Sequence, residues 1–350
     1  MLPELRTVFE DLLGWGKWWA GDKVIELRDP ETGKFWANRA DDPMWGRIIL
    51  RSASSGGGLE SATAKAAWLD ECGQDEFPLQ IWEAVQRRLS LSEGRVLGTT
   101  TPYNLGWLKS EIYDPWEEGD PDIEVVNFPS TMNPAFPLRE FSRVEAKMQA
   151  WRFGMFYKGQ FTKPAGLIYD CFTGDMLCDP FEIPDEWTRY VGVDFGGANT
   201  AILWAAEDPA TEKVYLFDEW LGGGETSTQY AERAKRNVPD GCESYAWGGA
   251  ASEGQARRDW GMSFFVDAPS VTDVEPGIDR GTRLMKEDRL RVFRTIRGFR
   301  DEIGSYKRKI DDAGNPLEEI EHKRRFHHMD AYRYMSVGIT EQTGPWAVLL

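Results

Sequence analysis

Runs and alternations of apolar residues divide the chain into a patterned first part, a weakly patterned middle and a patterned second part. Lys23 to Leu27 and Arg47 to Arg51 have the alternation of short strands, with Asp29-Pro30-Glu31-Thr32-Gly33 as a turn between them and Ser52 to Gly58 as a Gly/Ser-rich turn after them. Ala62 to Glu71 runs small and apolar into the acidic pair Asp70-Glu71, which predicts a buried parallel strand. Pro78 to Ser92 places Ile81, Val85 and Leu89 at i, i+4 and i+8, a helical stripe. Arg95 to Gly98 reads as another short buried strand, closed by Thr99-Thr100-Thr101-Pro102.

From Pro115 to Pro184 the pattern weakens under prolines at 115, 121, 129, 134, 137, 164, 180 and 184, with one helix expected over Leu138 to Phe153. Beyond it come strands at Arg189 to Asp194, Ala201 to Ala206 and Lys213 to Glu219, then a helix at Thr226 to Asn237. A strand at Ser244 to Trp247, a helix at Gly254 to Trp260 and a short strand near Phe264 to Asp267 follow, and a helix-forming segment near the C-terminus carries Asp330. The expected organisation is residues 1–130 as an α/β domain, 131–186 as a linker or lid, and 187–345 as a second α/β domain. No internal repeat or low-complexity tract is visible.

The chain has 350 residues, 41% of them hydrophobic and 13% aromatic, enough to fill ordinary cores. No window approaches about 18 uninterrupted apolar residues, and Met1-Leu2-Pro3-Glu4-Leu5-Arg6 lacks the basic and apolar regions of a signal peptide. A membrane partner is therefore not expected, and the cytoplasm is the default. Cys72, Cys171, Cys178 and Cys242 form no CxxC pair, which argues against a zinc site or a disulfide framework. A net charge of −17 is unusual for a protein that handles nucleic acid. Its distribution is uneven: Arg280 to Ile310 holds eleven Lys or Arg against Glu287, Asp288, Asp301 and Glu302, a local +7 that leaves −24 for the rest. Two readings stay open, a basic ridge that grips DNA and a solvated amphipathic helix.

Asp194 ends an apolar strand just before the Gly-rich turn Phe195-Gly196-Gly197-Ala198-Asn199-Thr200, with no basic neighbour in sequence. Such an acid suits a divalent metal held against a phosphate. An acid on a first strand and another on a last helix is the plan of an RNase H-like, two-metal nuclease. In the first part, strand, helix and strand with acids and threonines at their carboxyl ends make an α/β nucleotide-binding arrangement. Asp70-Glu71 resembles a Walker B motif, whose Asp orders Mg2+ and whose Glu polarises the attacking water.

At this point the chain resembles the large terminase subunits of tailed bacteriophages, the motor and nuclease that packages DNA into a capsid. Trp68-Leu69-Asp70-Glu71 is similar to the family's Walker B, and Thr99-Thr100-Thr101-Pro102 to its coupling motif. Asn133-Pro134, Gly159-Gln160-Phe161 and Gly166-Leu167-Ile168-Tyr169 resemble the segment before the nuclease. Val193-Asp194-Phe195-Gly196 and His328-Met329-Asp330-Ala331 match its first and last acidic motifs. The resemblance implies a partial P-loop ATPase-like parallel sheet followed by an RNase H-like (RuvC-type) nuclease domain. It implies Asp70, Glu71, Thr99, Thr100 and Thr101 as an ATP site, vestigial or completed by a partner. It also implies Mg2+ or Mn2+ as two ions in the nuclease site, and as partners double-stranded DNA, a portal protein and a small terminase subunit. Location would be the host cytoplasm, in a packaging complex and not in the mature virion.

One expected part is absent from the sequence. No GxxxxGK[ST] string occurs, and Gly58 to Lys65 lacks both the second glycine and the hydroxyl after the lysine. The reading is a fragment, a split gene product or a truncated chain, with ATP used only if a Walker A is supplied elsewhere, for example by a separate chain. Alone, this polypeptide is expected not to hydrolyse ATP. In the nuclease part, terminases usually close the fourth strand with an acid, where this chain has Ser244-Tyr245-Ala246-Trp247-Gly248-Gly249. Glu253, one turn beyond, is the nearest replacement as the third metal ligand with Asp194 and Asp330, and Glu219 competes with it. His327 and His328 are read as packing or orienting groups. Arg280, Arg283, Lys323, Arg324, Arg325 and Arg333 are the candidate DNA contacts. Two alternatives stand beside the endonuclease: a non-catalytic docking or regulatory component of the packaging complex, and an RNase H-like transposase or integrase, which needs neither Asp70-Glu71 nor the threonine run.

Overall fold

The computed structural model describes residues 2–28, 46–53, 63–196, 198–311 and 314–342. The turn expected over Asp29 to Gly33, most of the Ser52 to Gly58 turn and residues 58–62 of Gly58 to Lys65 lie outside the described residues, as does Gly197. The chain folds as two compact units, residues 1–70 with 76–99 and residues 71–75 with 100–350.

In the first unit α1 (Leu2–Arg6) leads to β1 (Gly16–Trp19), β2 (Val24–Leu27) and β3 (Gly46–Ile49), an antiparallel sheet ordered β1-β2-β3. Then β4 (Ala66–Asp70), α2 (Leu79–Leu89) and β5 (Arg95–Thr99) make a βαβ unit, with β4 and β5 paired in parallel from Ala66 opposite Arg95 to Asp70 opposite Thr99. α2 buries Leu79, Trp82, Val85 and Leu89, so its inward face is centred slightly away from Ile81. The strand pair differs from its expected burial: Trp68, Val96 and Leu97 are exposed. Among the described residues the pair has no third strand, and two strands with one helix cannot cover both faces of a parallel sheet.

The second unit contains α3 (Asp114–Glu117), α4 (Leu138–Glu145), α5 (Ala150–Lys158), β6 (Leu177–Cys178), β7 (Thr188–Asp194), β8 (Thr200–Glu207), β9 (Val214–Gly222) and α6 (Ser227–Lys235). β10 (Ser244–Gly248), α7 (Gly254–Trp260), α8 (Val274–Lys286), β11 (Leu290–Phe293), α9 (Gly298–Ser305), the hairpin β12 (Arg308–Ile310) and β13 (Pro316–Ile320), and α10 (His327–Gln342) complete it. The single helix expected over Leu138 to Phe153 is two, because Gln149 takes an extended backbone and donates its side-chain amide to Gly314 O at 2.7 Å. The proline-rich middle also contributes β6 to the main sheet.

That sheet is ordered β10-β7-β8-β9-β11-β6, and β8 alone runs against the others. Val266-Asp267 extends it beyond β10, with Asp267 N donating to Ala246 O and Gly248 N to Asp267 O. Three meandering strands (β7, β8, β9), a fourth (β10) parallel to the first on its free side and the short Val266-Asp267 bridge beyond it make an RNase H-like α/β sheet, which β11 and β6 extend past β9. Both faces are covered. Val191, Val193, Ile202 and Trp204 pack with Tyr230, Ala231 and Trp260 of α6 and α7. Tyr190, Leu203, Ala205 and Leu216 pack against α8, α9 and α10 through Leu284, Phe299, Tyr332 and Met335. α10 is buried almost all round and lies directly on β7, where Gly192 leaves room for it: a Cβ there would stand 2.4 Å from Ala331 O. Among the described residues no helix is long and apolar enough to cross a membrane.

Candidate active site

β7 carries Asp194 at its last position and α10 carries Asp330 in its first turn, and the close approach at Gly192 seats that turn over the end of the strand. His327, the first residue of α10, joins the two elements through Nδ1, 2.9 Å from Asp194 Oδ2. Asp330 Oδ2 accepts a hydrogen bond from Lys323 Nζ, and its Oδ1 accepts one from Arg333 Nη2 at 3.1 Å. Glu253 closes a 3-10 turn after β10 and bonds back to Ala250 N at 2.7 Å.

Electrostatics tie the three acids together. Burial raises the Asp194 carboxyl above its usual range; the His327 hydrogen bond pulls it down, and the Asp330 charge adds to the rise. Glu253 is raised by burial, lowered by its bond to Ala250 N, and raised again by the charges of Asp194 and Asp330. The bond to Asp194 lifts His327, against burial. Hard oxygen donors that repel one another fit a divalent cation of the Mg2+ or Mn2+ type. Among the described residues no three His, Cys, Asp or Glu side chains already stand in ion-holding geometry. Two of the three acids instead hold cationic or protonatable side chains, Lys323 and His327.

Glu219 is engaged at the start of α9. Its carboxylate accepts the backbone N–H groups of Arg297 (2.8 Å), Gly298 (2.6 Å) and Phe299 (2.7 Å), so it caps α9 at the end where an anion is favoured. To hold the metal for which it was expected to compete with Glu253, its carboxylate would have to give up these bonds. Arg333, expected as a DNA contact, is 3% exposed and held by Asp330 and by the carbonyls of Thr272 and Asp273.

The basic stretch from Arg280 to Ile310 is not a free ridge. Nine of its eleven cations are ion-paired, among them Arg280 with Asp279, Arg283 with Glu287, Arg289 with Glu207, Arg297 with Glu111 and Arg308 with Glu275. Arg324 and Arg325 are exposed and beside the site, and no acid pairs with them among the described residues.

Of two supporting residues, Glu302 carries no signal of its own in the sequence and His328 reads only as a packing or orienting group. Glu302 of α9 accepts Met329 N at 3.0 Å and holds His328 Nδ1 at 2.7 Å, both on α10. Burial acts to lower His328, but the charge and hydrogen bond of Glu302, helped by Glu219, push it up to about 9. α9 is braced on its other side by Leu105 N donating to Gly304 O (3.0 Å), Trp107 N to Asp301 Oδ1 (2.7 Å) and Arg297 to Glu111.

The candidate nucleotide residues are held locally. In the first unit Thr99 Oγ1 donates to Asp70 Oδ1 (2.9 Å) and accepts Trp68 Nε1 (2.9 Å). In the second, Glu71 has φ +55° and accepts Tyr103 OH (3.1 Å), while Thr100 Oγ1 accepts Gly73 N (2.9 Å) and donates to Thr101 O.

No protein-family model matches the chain, and no curated protein matches it. Solved structures similar to it include several phage large terminases. A large terminase from a thermophilic bacteriophage is 16% identical, over 97% of this chain and 82% of that one, with a TM-score of 0.43. The P22 large terminase nuclease domain is 24% identical over 51% of this chain and 99% of that one, TM-score 0.38. The nuclease domain of the SPP1 large terminase, solved with bound Mn, is 16% identical over 48% and 96%, TM-score 0.37. All three TM-scores lie below 0.5, so function has to be argued from the residues themselves.

Proposed function

We propose that this chain is a terminase large subunit whose second unit is a metal-dependent endonuclease, cutting concatemeric double-stranded DNA during genome packaging. The observation that carries the reading is the meeting of Asp194 and Asp330, 136 positions apart in sequence, through the packing of α10 on β7, with Glu253 electrostatically coupled to both. Asp194, Glu253 and Asp330 are the residues that would hold Mg2+ or Mn2+. Bound there, such an ion supplies Lewis acidity and stabilises charge on the oxygens of a phosphodiester. His327 orients Asp194, Arg333 fixes one oxygen of Asp330, and Arg324 and Arg325, exposed and without an acid partner among the described residues, offer cations to flanking phosphates. The ion-paired Arg280 and Arg283 are weaker candidates for that role.

Plasmid nicking with Mn2+ tests this directly. Asp194→Ala and Asp330→Ala are each expected to lower the rate at least ~100-fold, whereas equal activity in both variants and the parent would sink the nuclease. A second reading, a non-catalytic component that docks with portal protein or small terminase, is favoured by β10 ending in Trp247-Gly248 without a carboxylate. For the first unit, the exposed Trp68, Val96 and Leu97 support an ATPase sheet completed by further strands, with Asp70 and Thr99 meeting ATP only when a Walker A is supplied. The host cytoplasm is where such a packaging complex would act.

A further inference from the structure

Building on the nuclease reading, we propose that Lys323 is a positioning residue that keeps Asp330 closed to divalent cations until duplex DNA draws its ammonium onto a phosphate. The two oxygens of Asp330 are held in unlike ways. Oδ1 is bound by Arg333, whose side chain is 4% exposed and whose guanidinium is also anchored to the carbonyls of Thr272 and Asp273. That bond is built into the core. Oδ2 is bound by Lys323, which is one-third exposed and stands on the single 3-10 turn Lys323–Arg325. The turn is entered through His322 in the left-handed region, φ 50°, and carries three consecutive cations, Lys323, Arg324 and Arg325. Arg324 and Arg325 face solvent without an acid partner among the described residues, so an arriving phosphate meets two free cations and one engaged by Asp330.

Lysine is a flexible point charge with three rotatable donors, and a part-exposed ion pair is readily exchanged for another anion. While Lys323 holds Oδ2, both oxygens of Asp330 are engaged and a divalent ion must displace the ammonium. The apparent affinity for that ion falls with the fraction of time the carboxylate is free. A phosphate that attracts Lys323 restores that fraction, so metal and DNA each tighten binding of the other. Cation loading at the site then depends on substrate, which protects DNA-free chains from holding an armed nuclease centre.

The test is calorimetric titration of Ca2+, which leaves the DNA intact, into the full chain alone and with a short duplex. For the parent, DNA is expected to tighten Ca2+ binding about tenfold or more. Lys323→Met is expected to bind Ca2+ about tenfold more tightly than the parent without DNA, and to gain at most about threefold from DNA. Lys323→Arg, which keeps a cation on the turn, should retain most of the coupling. A structural role alone would weaken metal binding in Lys323→Met, so tighter binding is the discriminating sign. Should Lys323→Met bind Ca2+ no more tightly than the parent while Asp330→Asn abolishes binding, the gate is wrong and the metal site stands. Should Asp330→Asn bind as tightly as the parent, the nuclease reading itself falls.

Discussion

Parallel pairing occurs in both units, between β4 and β5 in the first and between β10 and β7 in the second, and the two pairs meet water differently. Trp68 and Leu97 of the first pair are 47% and 58% exposed, whereas Trp204 and Leu203, in the sheet that contains the second, are fully buried. The residue types are alike. What differs is the layering: the larger sheet has α6 and α7 on one face and α8, α9 and α10 on the other, while among the described residues α2 is the helix packed on the smaller pair. Apolar strand composition therefore reports a capacity for burial, and the number of packed layers decides whether it is used.

The comparison can be broken most sharply at its two tryptophans. Trp204→Ala removes a fully buried ring and its Nε1 bond to Ala234 O, and is expected to cost ~3–5 kcal/mol in urea unfolding, against ~1 kcal/mol or less for Trp68→Ala. Equal losses would show that the smaller pair is covered. Next comes Glu302→Ala, which strips the buried His328 of its partner and is expected to cost ~3 kcal/mol by the same measurement. A smaller and pH-dependent effect belongs to Asp301, whose carboxyl burial pushes up to about 6 from 3.8. The folded chain binds that proton more tightly than the unfolded one, so the stabilisation is complete below pH 3.8 and lost as pH rises through about 6. Asp301→Asn should thus be more stable than the parent at about pH 7.5, by on the order of 2 kcal/mol, and lose that advantage at about pH 4. Thermal melts across that range check it. Least of all, Leu97→Ser on the open pair should change stability by no more than ~0.5 kcal/mol.

Much of the larger unit was legible because its strands are short apolar runs with an acid or a glycine at the end. Thr188–Asp194, Thr200–Glu207 and Ser244–Gly248 lie within one or two residues of where alternation and apolar runs put them. Asp194 and Asp330 stood out because each ends or opens an element at a position suited to a metal. The stretch holding α8, β11 and α9 was opaque for an electrostatic reason. Its cations find their acids at Glu111, Glu207 and Glu275, and Lys307 reaches Asp75, so a local excess in sequence becomes a set of pairs in the fold. Glu219 was legible as a strand-end acid, but only the arrival of α9 at that strand reveals that three backbone N–H groups claim it. His328 was legible only as a packing or orienting group and its partner Glu302 not at all, since a buried pair between two helices has no sequence spacing to read.

α9 is eight residues long and fastened along its whole length: Glu219 at its head, Glu302 to α10 on one flank, Trp107 and Leu105 on the other. Such a strut has no slack. Residues 105–111, just beyond the threonine run, can shift against the sheet only by snapping the Asp301 and Gly304 bonds or by dragging the helix along, and with it the turn that presents Asp330.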